Sequence, residues 1–575
     1  MRQSDIAKRV WFFLFLAIAA FYLYGLGTAP LVGPDEPRYA EVAREMLARH
    51  DLITPTLGGL PWFEKPPLLY WMMMASYRLF GVSEFSARLG PAICGLLTAL
   101  FVYVIAARGS SPTPGSPAGQ PGWGGAVREG VTAGTQTSGN DLSRWSALVF
   151  LSSLGVIAFA RAASFDIVIT MTLTGALACF FAWSARIPGC GSPASLPARS
   201  GGWLLFAFYF FIGLSLLAKG LIGIVIPFGV IVVYFLLRRS WPNRELVISL
   251  FWGVPLTLAI AAVWYGPMIS RHGWKFIDQF VIQHHFARFA TNKYHHPEPF
   301  YFYLPVLALL ALPWTVQLVA AFISARRWNW RGGGPLDQVR VFALAWIVVP
   351  VVFFSFSESK LTAYILPVMP AVALLVGERL TSFLRAGRGD RVIRFTGALL
   401  VAMAVGAGWY SVRYLHLNRL SIGAMSLPLF VLGLAALVGP QMRKALFVLI
   451  PVATFSASVI AINCAAPLAA RTESVRDLLA AADARGYGAA RVVQLHNIER
   501  TAEFYAAGRL DYGPDGEPVK LEGSTQVAAA AHVSGGVVLC LVPTEYESQL
   551  TSYKKIQAEV VANNGRVSLV IVRVP

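Results

Sequence analysis

The chain has 575 residues, of which 56% are hydrophobic and only 14% are charged, and its formal net charge is +18. A mean hydropathy of +0.57 excludes an ordinary soluble protein, because soluble chains carry roughly 25% charged residues. The composition is typical of a polytopic membrane protein. In such a protein, the basic excess favours anionic lipids or lipid phosphates as partners and argues against nucleic acid.

Apolar stretches long enough to cross a membrane recur along the chain. A spanning helix needs about 20 such residues, and the sequence predicts about 13 of them. They lie near residues 10–27, 84–106, 142–163, 164–187, 203–219, 220–237, 247–270, 300–324, 339–356, 361–385, 394–415, 423–440 and 443–463. The shorter apolar stretch Leu68–Leu79 predicts a helix lying at the membrane interface. Residues 1–463 are therefore expected to form an all-α polytopic membrane domain.

The positions of Lys and Arg predict the orientation. The N-terminus and the connections that contain Arg238, Arg326 and Arg385 are basic, which assigns them to the cytoplasm. Thirteen spans then place loops 28–83 and 271–299, and the C-terminal tail, on the opposite side. Those outer loops also carry basic residues that the positive-inside rule does not require. Either the spans are miscounted or these residues bind anions, and the consistent cytoplasmic series of Lys and Arg favours anion binding.

Two segments differ in composition from the spans. Ser110–Asn140 is rich in Gly, Ser, Pro and Thr, which predicts a flexible cytoplasmic loop. Residues 464–575 look soluble, with helical spacing in Ser474–Ala484. β-Rich apolar runs follow at Arg491–Leu495, Gly535–Val542 and Val567–Val574. We expect a small α/β domain outside the membrane.

Several outer turns carry charge where the surrounding sequence is apolar. Asp35 and Glu36 follow the first span, and they either cap a helix or mark a site, since ionisable groups at membrane depth are costly. Glu64 and Lys65 likewise form an interfacial ion pair or belong to a site. Further outer turns contain Arg161, Asp166, Lys219 and Lys360. Charge at four separate outer turns indicates a shared site.

Histidine is concentrated in one predicted outer loop. Five of the nine histidines lie between His272 and His296. Histidines facing a charged loop are possible metal ligands, with a carboxylate as partner. Their spacing matches no standard zinc motif, so the residues alone leave a metal site open.

The charged motifs together resemble those of a known family. They are Pro34-Asp35-Glu36 with Arg38-Tyr39, Phe63-Glu64-Lys65-Pro66-Pro67, Arg161 with Asp166, Ala218-Lys219-Gly220, His285 with Arg288-Phe289, and Lys360-Leu361 with Tyr364. This set resembles the GT-C membrane glycosyltransferases, nearest to the bacterial 4-amino-4-deoxy-L-arabinose (Ara4N) lipid A transferases and related to the protein O-mannosyltransferases. The resemblance extends over about residues 10–385.

The resemblance implies a reaction at the periplasmic face of the bacterial inner membrane. The donor would be an undecaprenyl-phosphate-linked sugar and the acceptor a lipid A phosphate, with the chain acting as a monomer. The implied catalytic residues are Asp35, Glu36 and Asp166. The implied substrate-binding residues are Arg38, Tyr39, Lys65, Arg161, Lys219, Arg288, Lys360 and Tyr364. Glu64 and His285 would hold a divalent metal such as zinc, although His284 makes the choice of histidine uncertain.

Two other functions stay open at this stage. If the acceptor were a protein hydroxyl, as in O-mannosylation, Asp35 would have to act as a general base. A phosphate acceptor is already anionic and needs little deprotonation. A lipid transporter would place ionisable residues at the bilayer midplane and show repeated halves. Here the charges cluster towards one face, which favours an enzyme.

Overall fold

The computed structural model describes residues 2–109, 131–185, 201–287, 298–332, 334–386, 390–439 and 443–574. The predicted Ser110–Asn140 loop lies mostly outside these residues, but its last part already belongs to a helix. The helices before the C-terminal region are Arg2–Leu23, Asp35–Ala48, Leu68–Phe80, Glu84–Arg108, Val131–Ser152, Leu154–Ala160, Phe165–Ser184, Gly202–Lys219, Ile222–Arg238, Arg244–Phe276, Tyr303–Leu310, Thr315–Ser324, Pro335–Ser355, Met369–Ala386, Asp390–Tyr410, Arg419–Val438 and Arg443–Ile460. A π-helical segment, Ile277–Ala287, continues the helix Arg244–Phe276.

The helices confirm a multi-pass membrane protein. Among the described residues, 9 helices are long and apolar enough to cross a membrane, and up to 11 if each of two bent pairs counts as one span. Asp141–Ser152 and Leu154–Ala160 meet at 63°, and Phe300–Leu310 and Thr315–Arg327 meet at 118°. Two shorter apolar helices are Arg9–Leu23 and Ile222–Arg238.

The two bent pairs brace each other where their helices break. The Leu154 N–H donates to the Leu312 carbonyl at 2.8 Å. The Trp314 indole Nε1 donates to the Ser152 hydroxyl at 2.9 Å. Backbone groups released at a break within a membrane must find partners inside the protein. These contacts supply partners at both breaks, so the bends are stable features of the fold.

The helix Asp35–Ala48, here named the first-loop helix, is anchored by its apolar face. Tyr39, Val42 and Met46 are buried at intervals of three or four residues, the spacing of one helix face. The Tyr39 ring packs edge-on against Phe165, with ring centroids 4.8 Å apart. This packing places the start of the first-loop helix beside the start of the helix Phe165–Ser184.

The C-terminal region contains a five-stranded mixed sheet. After a short antiparallel pair, β1 (Thr56–Leu57) and β2 (Leu60–Pro61), in the first loop, the sheet strands are β3 (Arg491–Leu495), β4 (Lys520–Leu521), β5 (Val537–Pro543), β6 (Gln557–Asn563) and β7 (Val567–Arg573). Their order is β4-β3-β5-β7-β6, with β3 parallel to β4 and β5, and β7 antiparallel to β5 and β6. The helices in this region are Ala466–Glu473, Arg476–Ala482, Ala502–Tyr505, Ser524–Val533 and Glu547–Thr551. The three strands expected from the sequence are confirmed.

Candidate active site

A cavity of about 390 Å³ opens where several helix ends meet the first loop, and we name it the main cavity. Its lining includes polar and charged side chains, those of Asp35, Tyr39, Glu64, Lys65, Asp166, Lys219, His284, Ser357 and Tyr364. It also includes apolar side chains, those of Leu221, Ile222, Val225, Phe353, Phe354 and Leu361, together with Phe165 and Pro66. The apolar lining was not predicted from the sequence, because such residues are ordinary in membrane helices. The cavity as a whole suits an amphiphilic ligand.

Asp35 begins the first-loop helix and faces the main cavity. Pro34 precedes the helix and Pro37 lies in its first turn, where the missing N–H of proline is tolerated. A carboxylate at this end of a helix is favoured by the helix dipole. Asp35 is exposed and forms no hydrogen bond or ion pair with any other described residue. Within the described part of the chain, Asp35 is thus open to a substrate.

Glu36, by contrast, is fully engaged by the protein. Its carboxylate accepts hydrogen bonds from Arg88 Nε at 3.1 Å and Arg88 Nη2 at 2.8 Å. It also accepts from the backbone N–H groups of Ala163 at 2.7 Å and Val32 at 3.2 Å. The catalytic role expected for Glu36 stays a prediction, and these contacts favour a role in holding the loop.

Glu64 and Lys65 form an ion pair of 2.6 Å at the wall of the main cavity. Arg38 Nη1 lies 3.9 Å from the other carboxylate oxygen of Glu64. Burial of Glu64 opposes its ionisation, but Lys65, His284 and Arg38 outweigh burial and hold the pKa of Glu64 well below its usual range. Glu64 is therefore a carboxylate at neutral pH, and it orients Lys65.

A second ion pair joins Asp166 and Lys219 across the cavity wall. Asp166 lies in the first turn of its helix, where its N–H donates to the Ser164 hydroxyl at 3.0 Å. The Lys219 ammonium also lies 5.0 Å from the centre of the Tyr364 ring, within the range of a cation–π contact. The structure thus brings these three predicted residues together.

Tyr39 contributes a hydroxyl to the same wall. Burial, reinforced by the charges of Asp35 and Glu64, raises the pKa of Tyr39 well above its usual value. The phenol therefore stays protonated and can donate a hydrogen bond to an anion.

Other predicted residues lie outside the lining of the main cavity. Arg161 lines a second cavity and donates to the backbone carbonyls of Phe21 at 2.7 Å and Tyr24 at 2.6 Å. Lys360 is only 8% exposed and donates to the Ser357 carbonyl at 2.7 Å. Substrate binding by Arg161 and Lys360 stays a prediction. Arg288 and the side chain of His285 lie outside the described part of the chain.

The described residues do not by themselves form a metal site. Within the described ranges, no group of three or more His, Cys, Asp or Glu side chains is placed to hold a metal ion. Glu64 and His284 share the cavity wall, but catalytic zinc sites use three protein ligands. The metal expected from the sequence stays a prediction.

Comparison with known proteins decides the family. The undecaprenyl phosphate-alpha-4-amino-4-deoxy-L-arabinose arabinosyl transferase of Aeromonas hydrophila is 30% identical over 453 residues, which cover 71% of this chain and 72% of the relative. The chain belongs to this arabinosyl transferase family. The Pseudomonas aeruginosa (strain UCBPP-PA14) member is 30% identical over 406 residues, and this chain spans 65% of its length. The resemblance expected from the charged motifs is confirmed.

Two further similarities agree with this family. ArnT from Cupriavidus metallidurans bound to undecaprenyl phosphate has a TM-score of 0.74 and 23% identity, and the match covers 98% of both chains. At that identity the match shows the fold. A family model described as dolichyl-phosphate-mannose-protein mannosyltransferase matches residues 64–116, which include the Glu64–Lys65 pair. This member of the arabinosyl transferase family is thus a GT-C glycosyltransferase.

Proposed function

We propose that the chain transfers 4-amino-4-deoxy-L-arabinose from undecaprenyl phosphate to a phosphate of lipid A, acting as a monomer at the periplasmic face of the inner membrane. Family membership supports the reaction class. The observation that carries the proposal is the mixed lining of the main cavity. Lys65 and Lys219 supply cationic groups to it, whereas Ile222 and Phe353 supply apolar side chains. A phosphate with a long hydrocarbon tail matches both kinds of group.

In the proposed reaction, the bond between the sugar C1 and a donor phosphate oxygen breaks. A bond between C1 and an oxygen of the acceptor phosphate forms. The electron pair of the broken bond leaves with undecaprenyl phosphate, which gains negative charge. Because a phosphate is already a weak base, no general acid is required. Lys65 and Lys219 stabilise the departing charge, an electrostatic contribution that is usually the largest in catalysis.

Asp35 is suited to the sugar and the acceptor. The Lys65 and Lys219 ammonium groups are already paired with Glu64 and Asp166, so Asp35 is the cavity carboxylate left open among the described residues. Its negative charge stabilises the positive charge that develops on the sugar ring as the C1–O bond lengthens. A phosphate acceptor needs orientation more than deprotonation, so an obligatory base is not required.

The topology supports a periplasmic reaction. Nine described helices are long and apolar enough to cross a membrane, and two bent pairs and two shorter apolar helices lie where the sequence predicts four further spans. We infer that the N-terminus is cytoplasmic and that all 13 predicted spans cross the membrane, in which case the main cavity and the C-terminal sheet face the periplasm. The domain boundary would then fall near residue 464. A donor already carried across the membrane on a polyprenyl phosphate fits that side, where nucleotide sugars are absent.

We also propose a divalent ion at the wall of the main cavity. Glu64 and one of His284 or His285 would hold it, and substrate oxygens would supply further ligands. Bound there, the ion would add positive charge near the donor phosphate. Metal analysis of the purified chain and of Glu64→Gln tests this point. Equal metal content in the two proteins would remove Glu64 as a ligand.

Reconstitution decides the reaction. The purified chain is mixed with undecaprenyl-phosphate-linked Ara4N and lipid A, and the lipids are analysed by mass spectrometry. Lipid A that gains one Ara4N per modified phosphate is the expected product. The family-model match over residues 64–116 favours protein O-mannosylation as the second candidate. Transfer from polyprenyl-phosphate mannose to a Ser- or Thr-containing peptide, without modification of lipid A, would establish that alternative.

A further inference from the structure

The C-terminal region contacts the first loop through the helix Ala502–Tyr505. The Leu31 N–H donates to the Tyr505 hydroxyl at 2.7 Å, and that hydroxyl donates to Glu84 at 3.0 Å. The Arg44 guanidinium lies over the Phe504 ring at 5.0 Å. These contacts join the helix Ala502–Tyr505 to both sides of the turn that carries Asp35.

A second contact is made at the β1–β2 turn. Gly58 has a φ of +61°, and a Cβ there would lie 2.0 Å from the Tyr512 ring. Only glycine satisfies both the backbone conformation and the close approach. The first loop is thus shaped to fit the C-terminal region.

Within this interface Glu503 forms an ion pair with Arg38 of the first-loop helix. Its side chain is buried, with 1% exposure, and its carboxylate lies 3.3 Å from Arg38 Nε and 2.9 Å from Arg500 Nη1. Arg38 in turn lies 3.9 Å from Glu64 and 5.0 Å from the Trp62 ring. Arg38 is therefore shared by two carboxylates, and its closer contact is with the C-terminal one.

The unequal distances have a consequence for Lys65. Glu64 uses one oxygen for Lys65 at 2.6 Å, while its second oxygen faces Arg38 at the longer distance. Without Glu503, the buried Arg38 charge would have Glu64 as its nearest partner, because a buried charge requires a counter-charge. Arg38 would then move closer to Glu64 and compete with Lys65 for it.

We propose that Glu503 is a positioning residue for the donor site, which holds Arg38 away from Glu64 and so keeps Lys65 directed into the main cavity. The C-terminal region thereby sets the affinity of the site for a polyprenyl phosphate without touching the ligand. This inference rests on the proposed function, because its measurement is donor-phosphate binding.

The test uses the full-length chain in detergent, with undecaprenyl phosphate as the probe and thermal unfolding measured in parallel. We expect Glu503→Gln to weaken binding about tenfold and Glu503→Asp to restore part of the affinity. Glu499→Gln is the matched control. Glu499 is 4% exposed, lies three residues before the helix Ala502–Tyr505 and pairs with Arg566, a residue of the C-terminal region, at 2.5 Å. It should lose stability to a similar degree and keep wild-type affinity.

A double-mutant cycle identifies the route through Arg38. If Glu503 acts through Arg38, then adding Glu503→Gln to Arg38→Gln should change affinity less than twofold. Wild-type binding by Glu503→Gln would overturn the inference, as would full additivity with Arg38→Gln. An equal affinity loss in Glu499→Gln would reduce Glu503 to a structural role. A wild-type chain that fails to bind undecaprenyl phosphate would instead overturn the proposed donor, and the inference with it.

Discussion

The Glu36 carboxylate receives two hydrogen bonds from Arg88, at 3.1 Å from Nε and 2.8 Å from Nη2, immediately beside Asp35. Arg88 also donates to the carbonyls of Leu26, Ala29 and Pro30. Two adjacent acidic residues therefore have different environments. Glu36 holds the first loop to the membrane helices, whereas Asp35 faces the main cavity with no partner among the residues that the structure describes.

This difference predicts that two isosteric substitutions affect different properties, one the transfer activity and the other the thermal stability. Asp35→Asn should lower the rate of transfer by roughly a hundredfold or more, while expression and membrane insertion stay normal. Glu36→Gln should lower the thermal unfolding temperature, because breaking a buried pair costs about 3–5 kcal/mol. Transfer to lipid A and thermal unfolding are measured on both proteins. Near wild-type transfer by Asp35→Asn would remove Asp35 as the central carboxylate.

The Lys65 substitutions test the donor phosphate site. Lys65→Ala should weaken undecaprenyl phosphate binding by about tenfold or more, because a hydrogen bond to a charged group contributes about 1.5–3 kcal/mol. Lys65→Arg should recover only part, since the guanidinium keeps the charge but changes the shape. Direct binding to detergent-purified proteins is the measurement. Unchanged affinity in Lys65→Ala would move the phosphate site towards Lys219 and Lys360.

The stability of the protein should depend on pH through Glu41, which lies where the first-loop helix meets the C-terminal region. Burial raises the pKa of Glu41 to about 7. The positive charge of Arg44 lowers this pKa and so offsets part of the effect, whereas the negative charges of Glu45 and Glu503 add to it. The unfolded pKa of Glu41 is about 4.3, so the folded state binds the proton more tightly. Protonated Glu41 therefore stabilises the folded state. This stabilisation is complete below the unfolded pKa and is lost as the pH rises through the folded pKa of about 7.

Thermal unfolding between pH 5 and pH 8, a range of about three units around that pKa, tests the Glu41 prediction. The wild-type unfolding temperature should fall relative to that of Glu41→Gln as the pH rises, because glutamine has no proton to lose. Parallel curves for the two proteins would show that Glu41 does not titrate in this range.

Reporter fusions test the orientation on which the proposed function depends. Fusions after Gly58, Thr291 and Pro575 should report the periplasm, and fusions after Gly130 and Gly332 should report the cytoplasm. The basis is the alternation of Lys- and Arg-rich connections with the spans. A cytoplasmic signal at Thr291 would separate the His-rich loop from Asp35 by a membrane, and the shared site would fail.

Parts of the C-terminal sheet were predictable and parts were not. Strands β3, β5 and β7 are buried apolar runs, and such runs are visible in the sequence. Strand β6 is an edge strand with mostly exposed residues, and β4 has only two residues. Neither has enough buried apolar side chains to produce a recognisable pattern.

The sequence by itself determined the membrane class, the helical architecture and the charged first loop, because hydrophobic length and charge placement are local properties of the chain. Only the tertiary structure decided which charged residues pair with each other and which face the main cavity. It pairs Lys65 with Glu64 and Lys219 with Asp166, leaves Asp35 without a partner in the described ranges, and places Arg161 at a separate cavity. It also brings Glu503 to Arg38. Such pairings join distant parts of the chain, and no local spacing encodes which partner a charge will meet.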